Sequence, residues 1–144
     1  MEPDHDFGAY AQPRLNNKGS NNLKPSDTEI RQIEALMATY VEGGRTGDNA
    51  TLRPIFHELA TICGYVGPDL FSGPIEMFYD WHAENGPAAD LVAGDMRIDV
   101  EGSAASVRIE LDNWTGHRFT DFFTLVKIDD QWQIMSKVFY LHPE

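Results

Sequence analysis

Few side chains in this sequence stand where chemistry could begin, and Asp121 is the first of them. Along the apolar run from Phe119 to Ile128, strand alternation puts Asp121 on one face with Phe119, Phe123 and Leu125. A carboxylic acid kept neutral on such a face can donate a hydrogen bond to a developing oxyanion, and an ionised one can act as a base. The same residue also reads as a structural carboxylate that accepts from a backbone amide, Asn113 or Tyr140. Tyr40, on a helical apolar stripe, is either a core residue with a satisfied hydroxyl or a donor into a pocket. Tyr140 falls diagonal to Asp121 and could share its proton. His57 carries the side chain best suited to moving protons near neutral pH, or it caps the last carbonyls of a helix. His82 and His117 read as surface or partly buried residues.

Other chemistries find no support. The five histidines are scattered without a His-x-x-x-His pair, and Cys63 is the single cysteine, so no metal and no cofactor is expected. Neither a glycine-rich phosphate loop nor a Gly-x-Ser-x-Gly elbow occurs. The formal net charge of −12 comes without any Lys/Arg cluster, which argues against nucleic acid and membrane surfaces as partners. No apolar run approaches the roughly 18–20 residues needed to cross a bilayer, so a soluble, cytoplasmic protein is expected.

These residues need a scaffold. Residues 1–25 are rich in Asn, Pro, Gly and Asp without periodicity, and a mobile extension is expected there. One domain spans 26–144. Ser26 and Glu29 have the spacing of a capping box, and Ile30, Ile33, Met37, Tyr40 and Val41 form the buried stripe of a first helix. Gly43 and Gly44 are expected to stop it. Asp48 opens a shorter second helix that Pro54 limits, residues 59–66 form a strand, and Gly73-Pro74 opens a third helix carrying Ile75, Phe78, Trp81 and His82. Four further strands follow. Turns at Glu101-Gly102, Thr115-Gly116-His117 and Asp129-Asp130 pair Ile98 with Ala105, Leu111 with Asp121, and Asp121 with Val138. A two-residue turn at Thr115-Gly116 is rejected, because it would set Glu110 against Asp121. One dry face then gathers Met96, Asn113, Phe119, Asp121, Phe123, Ser136, Val138 and Tyr140. The other face holds Thr120, Phe122, Thr124, Val126, Met135, Lys137 and Phe139. A homodimer is expected through that outer face, at Phe122, Thr124, Lys137 and Phe139.

The order of elements resembles the nuclear transport factor 2-like superfamily. Within it the chain is similar to the SnoaL-like, or putative lumazine-binding, group. The residues that carry the likeness are Tyr40-Val41-Glu42-Gly43 with Gly47-Asp48, Phe56-His57 with Ala60 and Gly64-Tyr65, and above all Thr120 to Asp129, Trp132-Gln133-Ile134 and Lys137-Val138-Phe139. The resemblance covers about residues 26 to 141. It implies an α+β, cone-shaped domain: three N-terminal helices packed on a curved antiparallel sheet that encloses a pocket. Beside the ketosteroid isomerases of that superfamily, Tyr40 falls at the oxyanion-donor tyrosine and Asp121 near the second donor, whereas the general base would fall at Gly64. The expected function is capture of a small apolar carbonyl or cyclic compound, by a cofactor-independent lyase, isomerase or cyclase or by a binding module without chemistry. Asp121, Tyr40 and His57 are the candidate catalytic residues. Tyr65, Phe78, Trp81, Met96, Asn113, Phe119, Phe123 and Tyr140 are the candidate ligand contacts.

Overall fold

The computed structural model describes residues 27–144, so the Ser26 cap and the extension expected over 1–25 lie outside it. Helix α1 (Asp27–Thr46) buries Ile33, Met37, Tyr40 and Val41, the stripe read from the sequence. It does not stop at Gly43 and Gly44. Those glycines are contact points: a Cβ on Gly43 would stand 2.6 Å from Leu52, and one on Gly44 would stand 2.8 Å from the Trp114 ring. The helix ends instead at Gly47, whose positive φ of 71° closes its last turn with a bond from its N–H to the Gly43 carbonyl.

Asp48 caps the short α2 (Asn49–Leu52) by accepting from the Ala50 N–H, and Pro54 turns the chain through one 3-10 turn. Strand β1 (Phe56–Val66) follows. The segment after it is a second strand, β2 (Asp69–Pro74), which pairs back on β1; Gly73-Pro74, expected to open the third helix, closes this strand instead. Helix α3 (Glu76–Asn85) buries Phe78, Tyr79 and His82 and ends at Gly86. Strands β3 (Val92–Glu101), β4 (Ala104–Trp114), β5 (His117–Ile128) and β6 (Gln131–Leu141) complete a six-stranded curved sheet in the order β2-β1-β6-β5-β4-β3. Only the β1–β6 pairing is parallel. Among the described residues no helix is long and apolar enough to cross a membrane.

Register decides what faces inward. Between β3 and β4 the turn lies at Gly102-Ser103, so Ile98 meets Val107 rather than Ala105; the slip is two residues and keeps the face. The β4–β5 turn is the two-residue one the sequence reading rejected, with Trp114 opposite His117. A bulge at Asp112-Asn113, with Asn113 at φ 65°, restores the parity. Asp121 therefore sits opposite Ile109, still on the dry face and clear of Glu110.

In β6 the outcome is different. The turn at Asp129-Asp130 is as expected, and Leu125 pairs with Ile134, but Thr124 pairs with Ser136. Met135 is a one-residue bulge, and every residue beyond it swaps face. Lys137 and Phe139, expected on the outer face, are buried, while Val138 and Tyr140, expected on the inner one, are 45% and 54% exposed.

Candidate functional site

The exchange of faces brings three polar side chains together inside the sheet. Tyr40 reaches from α1, Asp121 from the middle of β5 and Lys137 from β6, and none is more than 5% exposed. The Tyr40 hydroxyl donates to Asp121 Oδ2 at 2.7 Å, and Lys137 Nζ donates to the same oxygen at 3.1 Å. Asp121 Oδ1 has no hydrogen-bond partner among the described residues. Asp121 is thus the acceptor of two bonds. The alternative partners Asn113 and Tyr140 lie elsewhere: Asn113 is exposed in the β4 bulge, and Tyr140 packs outward on His142.

Aromatic rings fill the space around the amine. Its nitrogen stands 4.9 Å from the centre of the Phe78 ring, 5.5 Å from Phe139 and Tyr40, 5.9 Å from Phe123 and 6.0 Å from Trp114. Burial pulls the Lys137 ammonium below the ordinary lysine range, against the opposing pull of Asp121. Burial also pushes the Tyr40 phenol well above its usual value, and the neighbouring carboxylate adds to the rise. A buried ion pair seldom outperforms a packed apolar pair of the same volume, so stability alone is a weak reason for these three residues.

Lys137 forms part of the wall of an open recess with room of about 90 Å³. The rings of Phe71, Phe78, Trp81, Trp114, Phe119 and Phe139 line it, with Ile62, Val66 and Leu141; Lys137 and His117 are its ionisable side chains. Tyr40, Asp121 and Phe123 stand behind the lysine, with Tyr40 and Phe123 edge to face at 5.0 Å. Lys137 lines the recess and bonds the carboxylate, which is not itself part of the lining.

Of the residues singled out in the sequence, Phe78, Trp81 and Phe119 line this recess. Met96 is half-buried on β3 opposite Ile109, outside it. His57 sits at the start of β1 and turns its Nδ1 to the Leu59 N–H at 3.0 Å, so its imidazole serves its own strand. Tyr65 is 62% exposed beside Tyr140 on the outer face. His82 is fully buried: Asn49 donates its amide N–H to the Tyr79 carbonyl, which turns Asn49 Oδ1 toward His82 Nδ1 at 2.9 Å. Burial between Phe78 and Trp114 keeps that ring neutral by lowering its pKa.

The sequence reading missed Lys137, Phe139, Trp114 and His117 as site residues. One signal for Lys137 was available. A carboxylate on a dry face calls for a cation as well as donors, and the strand alternation had supplied hydroxyl and amide donors but no cation. Gly64, where the isomerase base would fall, has no room for a side chain: a Cβ there would stand 2.5 Å from the Phe139 carbonyl and 2.7 Å from its ring. The amine of this cavity comes instead from β6, two residues before that phenylalanine. Among the described residues, no three His, Cys, Asp or Glu side chains group as a metal site would require.

Comparison with known proteins agrees with this architecture. Residues 28–140 match the family described as "Putative lumazine-binding". A nuclear transport factor 2-like protein of unknown function from Methylobacillus flagellatus is 41% identical, with a TM-score of 0.81 over 83% of this chain and 97% of its own. Its counterpart from Shewanella baltica is 37% identical, with a TM-score of 0.79 over 85% of this chain and all of its own. The aldolase FrzH of Cladobotryum is 31% identical over 116 residues, 78% of this chain and 93% of that enzyme. The chain belongs to the "Putative lumazine-binding" family, within the nuclear transport factor 2-like superfamily.

Proposed function

We propose that the recess takes a small apolar carbonyl compound and that the protein makes or breaks a carbon–carbon bond next to that carbonyl, as an aldolase-type lyase. The observation that carries this reading is the Lys137 amine, held by Asp121 at the wall of a cavity otherwise lined almost wholly by apolar and aromatic groups. An N–H of Lys137 polarises a carbonyl oxygen, and loss of its proton toward Asp121 leaves an amine that can take a proton from the neighbouring carbon. Tyr40 holds the carboxylate in place. The Cladobotryum relative, an aldolase by name, supports the reaction class. The missing carboxylate at Gly64 favours a second reading, a binding module with the same cavity and no turnover.

The test is to incubate the full chain with benzaldehyde and acetone and to follow the β-hydroxy ketone by mass spectrometry. Product formed faster than in buffer, and lost in Lys137→Met, supports the lyase. Binding without product supports the second reading, and neither binding nor product sinks both.

The reading extends to assembly. Phe122 pairs with Val138 and Tyr140 with Tyr65 across β5, β6 and β1, which leaves a row of exposed apolar side chains on the outer face. A second copy of the chain covers it, so the homodimer expected through Phe122 and Thr124 is kept with Val138 and Tyr140 in place of Lys137 and Phe139. Light scattering on Phe122→Glu, compared with the parent chain, checks the dimer.

A further inference from the structure

We propose that Lys137 is a covalent nucleophile, whose amine condenses with an unhindered apolar aldehyde in the recess to form an imine. This deepens the carbonyl reading above and rests on it.

Geometry carries the inference. Asp121 and Tyr40, the other two polar groups of the cluster, do not line the recess, so anything they do to a ligand passes through the lysine. Lys137 makes a single hydrogen bond among the described residues, to Asp121 Oδ2, and its remaining N–H directions meet aromatic faces and the cavity. Phe78 at 4.9 Å and Phe139 at 5.5 Å keep the side chain from swinging into water. The nitrogen is therefore held beside the space a carbonyl carbon would enter, which supplies the proximity an addition step needs. Burial, by lowering the amine's pKa, raises the fraction that carries a free lone pair at neutral pH.

The step balances without a further reactant. Lys137 passes one proton to Asp121, and its lone pair adds to the aldehyde carbon as the carbonyl π pair moves to oxygen. A second proton leaves nitrogen for that oxygen, giving a carbinolamine. The proton stored on Asp121 then goes to the hydroxyl, the C–O bond breaks, and water leaves. The net change is ammonium plus aldehyde to protonated imine plus water, with no oxidation or reduction. The product carries the same single positive charge as the ammonium it replaces, so the Asp121 carboxylate has a counter-ion both before and after the step. The protonated imine withdraws electrons from the adjacent carbon, which eases the proton loss that an aldol step requires.

The experiment uses the full chain, benzaldehyde or butanal, and sodium cyanoborohydride at neutral pH, followed by peptide mapping. Lys127, also within the described residues, serves as an internal control. The recess holds the aldehyde against the Lys137 nitrogen, so labelling of Lys137 is expected to outrun that of Lys127 by roughly tenfold or more. Quenching of Trp81 and Trp114, which both line the recess, reads binding independently of covalent capture. Quenching without label at Lys137, or label spread evenly over both lysines, overturns the imine and leaves the carbonyl reading standing. Neither quenching nor label removes both. In Lys137→Arg the cation stays and the nucleophile is lost, so quenching without reducible adduct is expected; the mapping of the parent chain decides the matter if that variant does not fold.

Discussion

Two lysines on neighbouring strands each meet a carboxylate, and the two pairs could hardly differ more. Lys127 of β5 donates to both oxygens of Glu29 at 2.9 and 3.1 Å, and Trp132 adds a third bond at 2.8 Å. That carboxylate is well satisfied, sits near water, and ties the first turn of α1 to the sheet. Lys137 of β6 meets Asp121 through one oxygen only, in a dry aromatic setting, with the other oxygen unbonded among the described residues. The first arrangement is what a fastening looks like. The second gives up hydrogen bonds and solvation in order to hold an amine beside a cavity.

The comparison can be broken by experiment, most forcefully at the lysine. Lys137→Met is expected to lower kcat/KM for an aldol reaction by about 10²–10⁴, the usual range for a lost proton-transfer group, while Lys127→Met leaves it within a few-fold. Next comes stability. Asp121→Leu strands a buried ammonium and is expected to cost about 3–5 kcal/mol in urea unfolding, yet the double change Asp121→Leu with Lys137→Met should return to within about 1 kcal/mol of the parent or exceed it. A cost that persists in the double variant would mean the pair is a fastening after all. Tyr40→Phe removes one bond to a charged acceptor and should cost about 1.5–3 kcal/mol.

The two pairs also answer to opposite ends of the pH scale. An unfolded lysine keeps its proton up to about 10.5, whereas folded Lys137 releases its proton earlier. Between those values the unfolded chain binds more protons, so stability rises with pH, until Tyr40, held protonated in the fold, reverses the trend above about 10. Lys137→Met should flatten that rise. Glu29 is depressed below 4.5 by its bonds to Lys127 and Trp132, so its contribution is present above 4.5 and fades as pH falls through the lowered value. Glu29→Gln should remove that acid-side loss, and this is the smallest effect of the set.

Much of the scaffold was legible because its signals are local. The Tyr40 stripe, the Asp48 cap, the Asp129-Asp130 turn and the alternation of β3 to β5 depend on neighbours a few residues away. What failed depended on distant contacts. Gly43 and Gly44 look like a stop until Leu52 and Trp114 press on them. Strand β2 is short and mostly exposed and ends in Gly73-Pro74, so its end reads as the opening of a helix. Asp121 was found because both slips before it were even. Lys137 was missed because the bulge at Met135 has neither glycine nor proline to announce it.

That bulge has a consequence for how such a site changes over time. With a side-chain period of two, whether Met135 bulges out of the ladder or pairs within it decides whether the cavity receives Lys137 and Phe139 or Ser136, Val138 and Tyr140. The contents of the cavity are then governed by strand register as much as by residue identity. Deleting Met135 would leave Lys137 inside, because Thr124 already pairs with Ser136; drawing Met135 into the ladder would instead turn Lys137 and Phe139 out, with no residue of the sequence changed.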